Sequence, residues 1–182
     1  MTTFPKGSGK LTKKATFFVE KIWQSFPSDF TIERFDINRF RNQYNFSIDA
    51  IDFIAKKHTI RQDLSNRWKV GMMIDFFINA RTKKAFRFAP RVPVISLQTI
   101  KISRTDHLSL NCYPGQMWIQ NIFIGGIPFK RAFMVQIDGA IINHSTLKEL
   151  AINDGFDSVD DFFNWFCDDF EGKIIHWTDL KY

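Results

Sequence analysis

The sequence predicts an α+β fold, a small mixed β-barrel flanked by helices, with a helical extension at its N-terminus. Three observations carry this reading. Strand-like runs rich in β-branched and aromatic residues fill the middle of the chain, from Met72 to Ile137, and turn residues punctuate them. Helical periodicity is confined to the two ends, over Lys13–Phe26 and from Ser145 onward. At 182 residues and 45% hydrophobic content, with 21 Phe and 5 Trp, one substantial core is affordable, and most of the Phe are packing residues.

Taken in order, Phe17, Phe18, Ile22, Trp23 and Phe26 share one helical face, and Pro27 ends that helix. Phe30, Ile32, Phe35 and Ile37 suggest a short irregular or extended stretch, and Ile37–Tyr44 a further short helix. Ile48, Ile51 and Phe53 or Ile54 recur about every three residues. Ser47–Ile54 therefore reads as a helix, with Lys56 and Lys57 in its last turn, where cations suit the helix dipole. Thr59 and Arg61 leave it in extended chain, on one face. A polar loop with Asp63, Ser65, Asn66 and Arg67 follows, then Met72–Asn79 as a buried strand, Arg81–Lys84 as a hairpin tip and Ala85–Phe88 as the return. Val94–Ser103, Leu108–Leu110, Met117–Phe123 and Ala132–Ile137 supply further strands, with turns at Gly125-Gly126 and Asp138-Gly139. Ser145 is expected to cap a helix over Ser145–Ile152. Asp157 or Ser158 caps the next, whose apolar face is Val159, Phe162, Phe163 and Phe166.

Charge is distributed unevenly. Residues 1–104 hold 20 Lys/Arg against 8 Asp/Glu, and residues 105–182 hold 5 against 11. This predicts a basic surface suited to phosphate-bearing partners, unless folding lays the acidic half beside it. Cys112 and Cys167 form no CxxC and are expected as free thiols in a reducing cytoplasm. There is no apolar signal region, and no run reaches the roughly 20 residues a membrane span needs, so a cytoplasmic protein without membrane contact is expected. His58, His107, His144 and His176 lack metal-ligand spacing, and no cofactor or metal is predicted. His176, in the last strand, is expected as a hydrogen-bonded structural residue. No G-x-S-x-G, phosphate-binding glycine loop or zinc-deaminase motif is present.

The most distinctive segment is Lys56-Lys57-His58-Thr59-Ile60-Arg61, followed by Arg67-Trp68-Lys69-Val70-Gly71. A hydroxyl among cations, near an aromatic flanked by cations, suits an anion or a polar base. The pattern Lys56, Thr59, Ile60, Arg61, with Gly71 before the next strand, resembles the ASCH domain of the PUA-like superfamily. So do Leu150–Phe156, Val159–Phe163 and the closing Lys173–Trp177. The resemblance covers about residues 47–182 and implies a PUA-like barrel there, with residues 1–46 as an extension packed on the domain.

The resemblance also implies a ligand site, in a cleft between the Lys56–Arg61 segment and the Asn153–Phe156 loop. RNA or a modified nucleoside would bind there through Lys57, Arg61, Arg67, Trp68 and Lys69. Some members of the family hydrolyse N4-acetylcytidine. Carried over by motif, Thr59 is the nucleophile, Lys56 its base and Asp154 the acid that orients the lysine. Asp154 stands where those enzymes have Glu, one methylene longer, and Asn153-Asp154-Gly155 is also an ordinary turn. Ribonuclease activity and a protein-interaction role through the N-terminal extension are the remaining expectations.

Overall fold

The structure, a computed structural model, describes residues 15–27, 53–105, 117–124 and 126–182. The expected helix over Ile37–Tyr44, most of that over Ser47–Ile54, the strand Leu108–Leu110 and Cys112 lie outside these residues.

In chain order the elements are α1 (Phe18–Trp23), β1 (His58–Arg61), β2 (Met73–Ile74), β3 (Phe77–Ile78), β4 (Phe86–Arg87) and β5 (Val92–Pro93). Then come β6 (Ser96–Thr105), β7 (Met117–Ile124), β8 (Ile127–Ile137), β9 (Ala140–Ile141), α2 (His144–Asn153), α3 (Val159–Trp165) and β10 (Phe170–His176). A six-stranded sheet runs β1-β10-β6-β8-β7, with β9 beside β8. Every pairing in it is antiparallel. Among the described residues nothing pairs β7 back to β1, so the fold is α+β with an open antiparallel sheet where the sequence predicts a mixed barrel. Parallel pairs need long crossovers, and the links between β7, β8 and β9 are tight turns.

Strand alternation divides the apolar residues into two cores. Ile60, Ile174, Ile100, Ile102, Phe133, Val135 and Ile137 face α2 and α3, where Phe133 stacks on Phe163 with ring centroids 4.1 Å apart. Ile175 and Leu97, one residue out of phase, face a second core with α1 and the β2–β5 and β3–β4 hairpins. Those hairpins are nested, β3–β4 inside β2–β5, and form one irregular arm. Helix α1 spans the two cores, with Phe18 against the first and Val19, Ile22 and Trp23 in the second. Trp23 Nε1 donates to Phe88 O at 3.1 Å, which ties α1 to the arm.

Four local expectations need correction. Lys56 and Lys57 are not in a helical turn: their N–H groups donate to Lys21 O and Asn153 O, each at 2.8 Å, instead of to carbonyls four residues back. Met72–Asn79 is two short strands, because between the paired positions Ile74–Val92 and Phe77–Arg87 residues 75–76 face four residues, 88–91, and the ladder is interrupted. Asn143, not Ser145, caps α2, its side chain accepting from Thr146 N at 2.9 Å. His176 is buried, yet neither ring nitrogen has a hydrogen-bond partner among the described residues. The Asp138-Gly139 turn and the Ser158 cap on α3 match expectation. Both turn residues have positive φ, and Ser158 Oγ accepts from Asp161 N at 3.0 Å.

Candidate functional site

Burial along residues 55–61 alternates with the period of two of an extended chain. Lys56, His58 and Ile60 are buried, Ala55, Lys57 and Thr59 are half-buried, and Arg61 is exposed. This splits the predicted site residues between two faces. Lys56 and Asp154 do come together. Lys56 Nζ reaches Asp154 Oδ1 at 2.5 Å and also donates to the Asp154 carbonyl oxygen. Thr59 does not join them: its cross-strand neighbour is Ile175, on the arm side of the sheet, and its hydroxyl has no hydrogen bond among the described residues.

The Lys56–Asp154 pair is enclosed, at 5% and 4% exposure. Phe18 covers the ammonium, 4.8 Å from ring centroid to Nζ. Burial lowers the Lys56 pKa and raises that of Asp154, so desolvation pulls the pair toward its neutral forms. Mutual attraction opposes both shifts, and Arg61 and the Ile60 backbone also favour the carboxylate. Lys21 clamps the same loop, donating to Gly155 O at 2.8 Å and to Asp157 Oδ1 at 2.7 Å. The two segments expected to line a cleft are thus hydrogen-bonded to each other, and the loop covers the outer edge of β1.

Beside the pair lies a cluster that sequence reasoning did not assemble. His58 and His176 face each other across β1 and β10, both at 0% exposure, with ring centroids 5.2 Å apart. Asn153 Nδ2 donates to Tyr182 Oη at 3.0 Å, and that hydroxyl meets His58 Nε2 at 2.8 Å. The same hydroxyl lies 3.5 Å from Glu149 O, and His58 Nδ1 is 3.7 Å from Asp154 Oδ1. Burial keeps both imidazoles neutral, holding His58 well below its usual pKa and His176 down at about 4. Burial pushes the Tyr182 hydroxyl up. The available signal was the Lys56-His58-Ile60 alternation, which a helical reading of Lys56 conceals.

The predicted binding residues fall on the other side. Arg61 lies opposite Lys173 in the β1–β10 register. Lys173 Nζ donates to Asn66 Oδ1 and lies 3.3 Å from Asp63 Oδ2. Asp63 in turn accepts from Arg67 N at 2.8 Å and Trp68 N at 3.1 Å. Burial would raise the Asp63 pKa, but these donors and Lys173 outweigh it and the net shift is downward. The loop is thereby folded so that Trp68 packs on the second core, with the Arg67 guanidinium 5.7 Å from its ring centroid. Arg67 and Lys69 are exposed. Among the described residues no carboxylate pairs with Lys57, Arg61, Arg67 or Lys69.

Among the described residues no group of three or more His, Cys, Asp or Glu is arranged to hold a metal ion, and no helix is long and apolar enough to cross a membrane. Comparison of the chain with protein-family models, curated proteins and solved structures returned no match.

Proposed function

We propose that this chain is an ASCH-type, PUA-like module that binds RNA, or a nucleobase-bearing group of that kind, on the arm side of its sheet. The observation that carries the reading is the sorting of β1. Lys57, Thr59 and Arg61 are in phase with Ile175 and Lys173, on the side where Trp68 packs, while Lys56 and Asp154 are sealed away from it. Unpaired cations hold phosphates, a hydroxyl hydrogen-bonds a base edge or sugar, and a half-buried indole beside an arginine offers a stacking surface. The test is fluorescence anisotropy with a labelled single-stranded RNA. Arg61→Ala combined with Arg67→Ala should weaken binding at least about tenfold and flatten its salt dependence. Unchanged affinity in that double variant rejects the site.

A second reading, hydrolysis of an N-acylated cytosine, is favoured by one observation: burial lowers the pKa of Lys56, as a catalytic base requires. It further requires Thr59 and Lys56 to reach one side of β1. Release of cytidine from N4-acetylcytidine, abolished by Thr59→Ala, supports it, and no release by the wild-type protein rejects it.

A further inference from the structure

Between Asp63 and Asp106 the chain has nine Lys/Arg and one acid, Asp75. Two of the nine, Lys101 and Arg104, are neutralised on the far strand by Glu171 and Asp168, at 2.8 and 2.5 Å. The other seven are Arg67, Lys69, Arg81, Lys83, Lys84, Arg87 and Arg91, and among the described residues their one ion-pair partner is Asp75, which lies 3.6 Å from Arg87 and 3.1 Å from Arg91. Arg81, Lys83 and Lys84 sit at the tip of the arm, between β3 and β4, all exposed and with no ion pair among the described residues. Phe77 is 45% exposed and faces Arg87 across the β3–β4 pair, while Phe86 and Ile78 turn to the core. Packing of the arm therefore leaves its outer surface with an aromatic ring, Arg87 shared with Asp75, and three cations that have no ion pair among the described residues.

We propose that this outer surface, Phe77, Arg81, Lys83, Lys84 and Arg87, is a second contact region for single-stranded nucleic acid. It takes successive phosphates on the cations and a base on Phe77. The proposal rests on the RNA-binding reading above and deepens it: the ligand is a polymer several nucleotides long, not a free nucleoside. Charge complementarity selects the occupant. A chain with one phosphate per nucleotide matches closely spaced cations, and an exposed ring flanked by arginine suits a base face.

The test uses the full-length protein and a labelled 16-nucleotide single-stranded RNA, titrated at several salt concentrations. Arg81→Ser, Lys83→Ser and Lys84→Ser are combined in one variant, with Lys83→Glu as a milder second variant. All lie in an exposed turn, and an unchanged unfolding midpoint is the control for folding. The triple variant is expected to bind at least about tenfold more weakly, with the slope of log affinity against log salt reduced by about 2, near 0.7 per lost phosphate contact. Wild-type affinity and slope in the triple variant overturn the arm surface, even where Arg61→Ala/Arg67→Ala still weakens binding and leaves the first site standing. The reverse pattern keeps the arm and removes the first site. A DNA arm of the same sequence distinguishes recognition of phosphate alone from recognition of ribose. Binding to anionic phospholipid vesicles but not to RNA overturns both proposals.

Discussion

At the scale of the residue, the buried Lys56–Asp154 pair supports one of the sharpest expectations. Removing one partner strands the other charge in a site closed by Phe18 and Gly155. Lys56→Met or Asp154→Asn alone is expected to cost about 3–5 kcal/mol in denaturant unfolding. Lys56→Met/Asp154→Asn should cost clearly less than the sum of the two single losses, and strict additivity would show that the pair is uncoupled. The histidine cluster predicts a pH dependence. Both folded-state pKa values lie below the unfolded value of about 6.5, so the unfolded chain takes up protons first as pH falls. Their contribution to stability is complete above about pH 6.5 and is lost as pH falls toward about 4, where His176 titrates. Asp154, raised by burial, acts in the opposite sense, so His176→Phe is the control that isolates the imidazole. Thermal midpoints measured from pH 7.5 to pH 4.5 should fall less steeply in that variant.

At the scale of the element, β1 is the part of the fold the sequence describes least well. The three-residue spacing of Ile48, Ile51 and Phe53 or Ile54 just before it suggests a helix with Lys56 and Lys57 in its last turn. At Lys56 and Lys57 the two hydrogen bonds to Lys21 and Asn153, and beyond them strand pairing with β10, override that local preference. The β2/β3 division was equally hidden, because it depends on the two extra residues that the returning strand carries between Arg87 and Val92. By contrast, α3 and the Asp138-Gly139 turn were legible, since capping and positive φ are decided within three or four residues. Gly172 marks the tightest contact of β1 with its neighbour. A Cβ there would lie 2.4 Å from Arg61 O, so Gly172→Ala must push β1 from β10 at the residue proposed to bind RNA. Overpacking of this kind costs about 1–3 kcal/mol. Amide exchange at Ile60 and Arg61 should accelerate, and protection equal to that of the parent would reject this account of Gly172.

At the scale of the whole molecule, the last strand lies inside the sheet, between β1 and β6, and β1 has no other strand partner among the described residues. Joining segments more than a hundred residues apart places β1 late in assembly, after most of the chain exists. A chain ending before Phe170 is therefore expected to lose the protection of β1 and of the Lys56–Asp154 pair, and to be cut near residue 57 under limited proteolysis that leaves the parent intact. The same layering sorts the described charges. The acids of α2, α3 and the turns around them lie on the helix side of the sheet, and the seven cations of residues 67–91 belong to the arm side. Among the described residues, Asp63 and Asp75 are acids on that side of the basic arm.

Sequence alone determined the α+β composition, the α3 cap, the Asp138-Gly139 turn and the charge asymmetry. All of these follow from local propensity or from counting. Tertiary structure decided which of the candidate site residues meet. Lys56 and Thr59 are three apart, a spacing that puts side chains together on a helix and on opposite faces of a strand. Pairing with a strand more than a hundred residues away chose the strand. That choice buried Lys56 with Asp154 and the two histidines, and left Thr59, Arg61 and the arm on the other side.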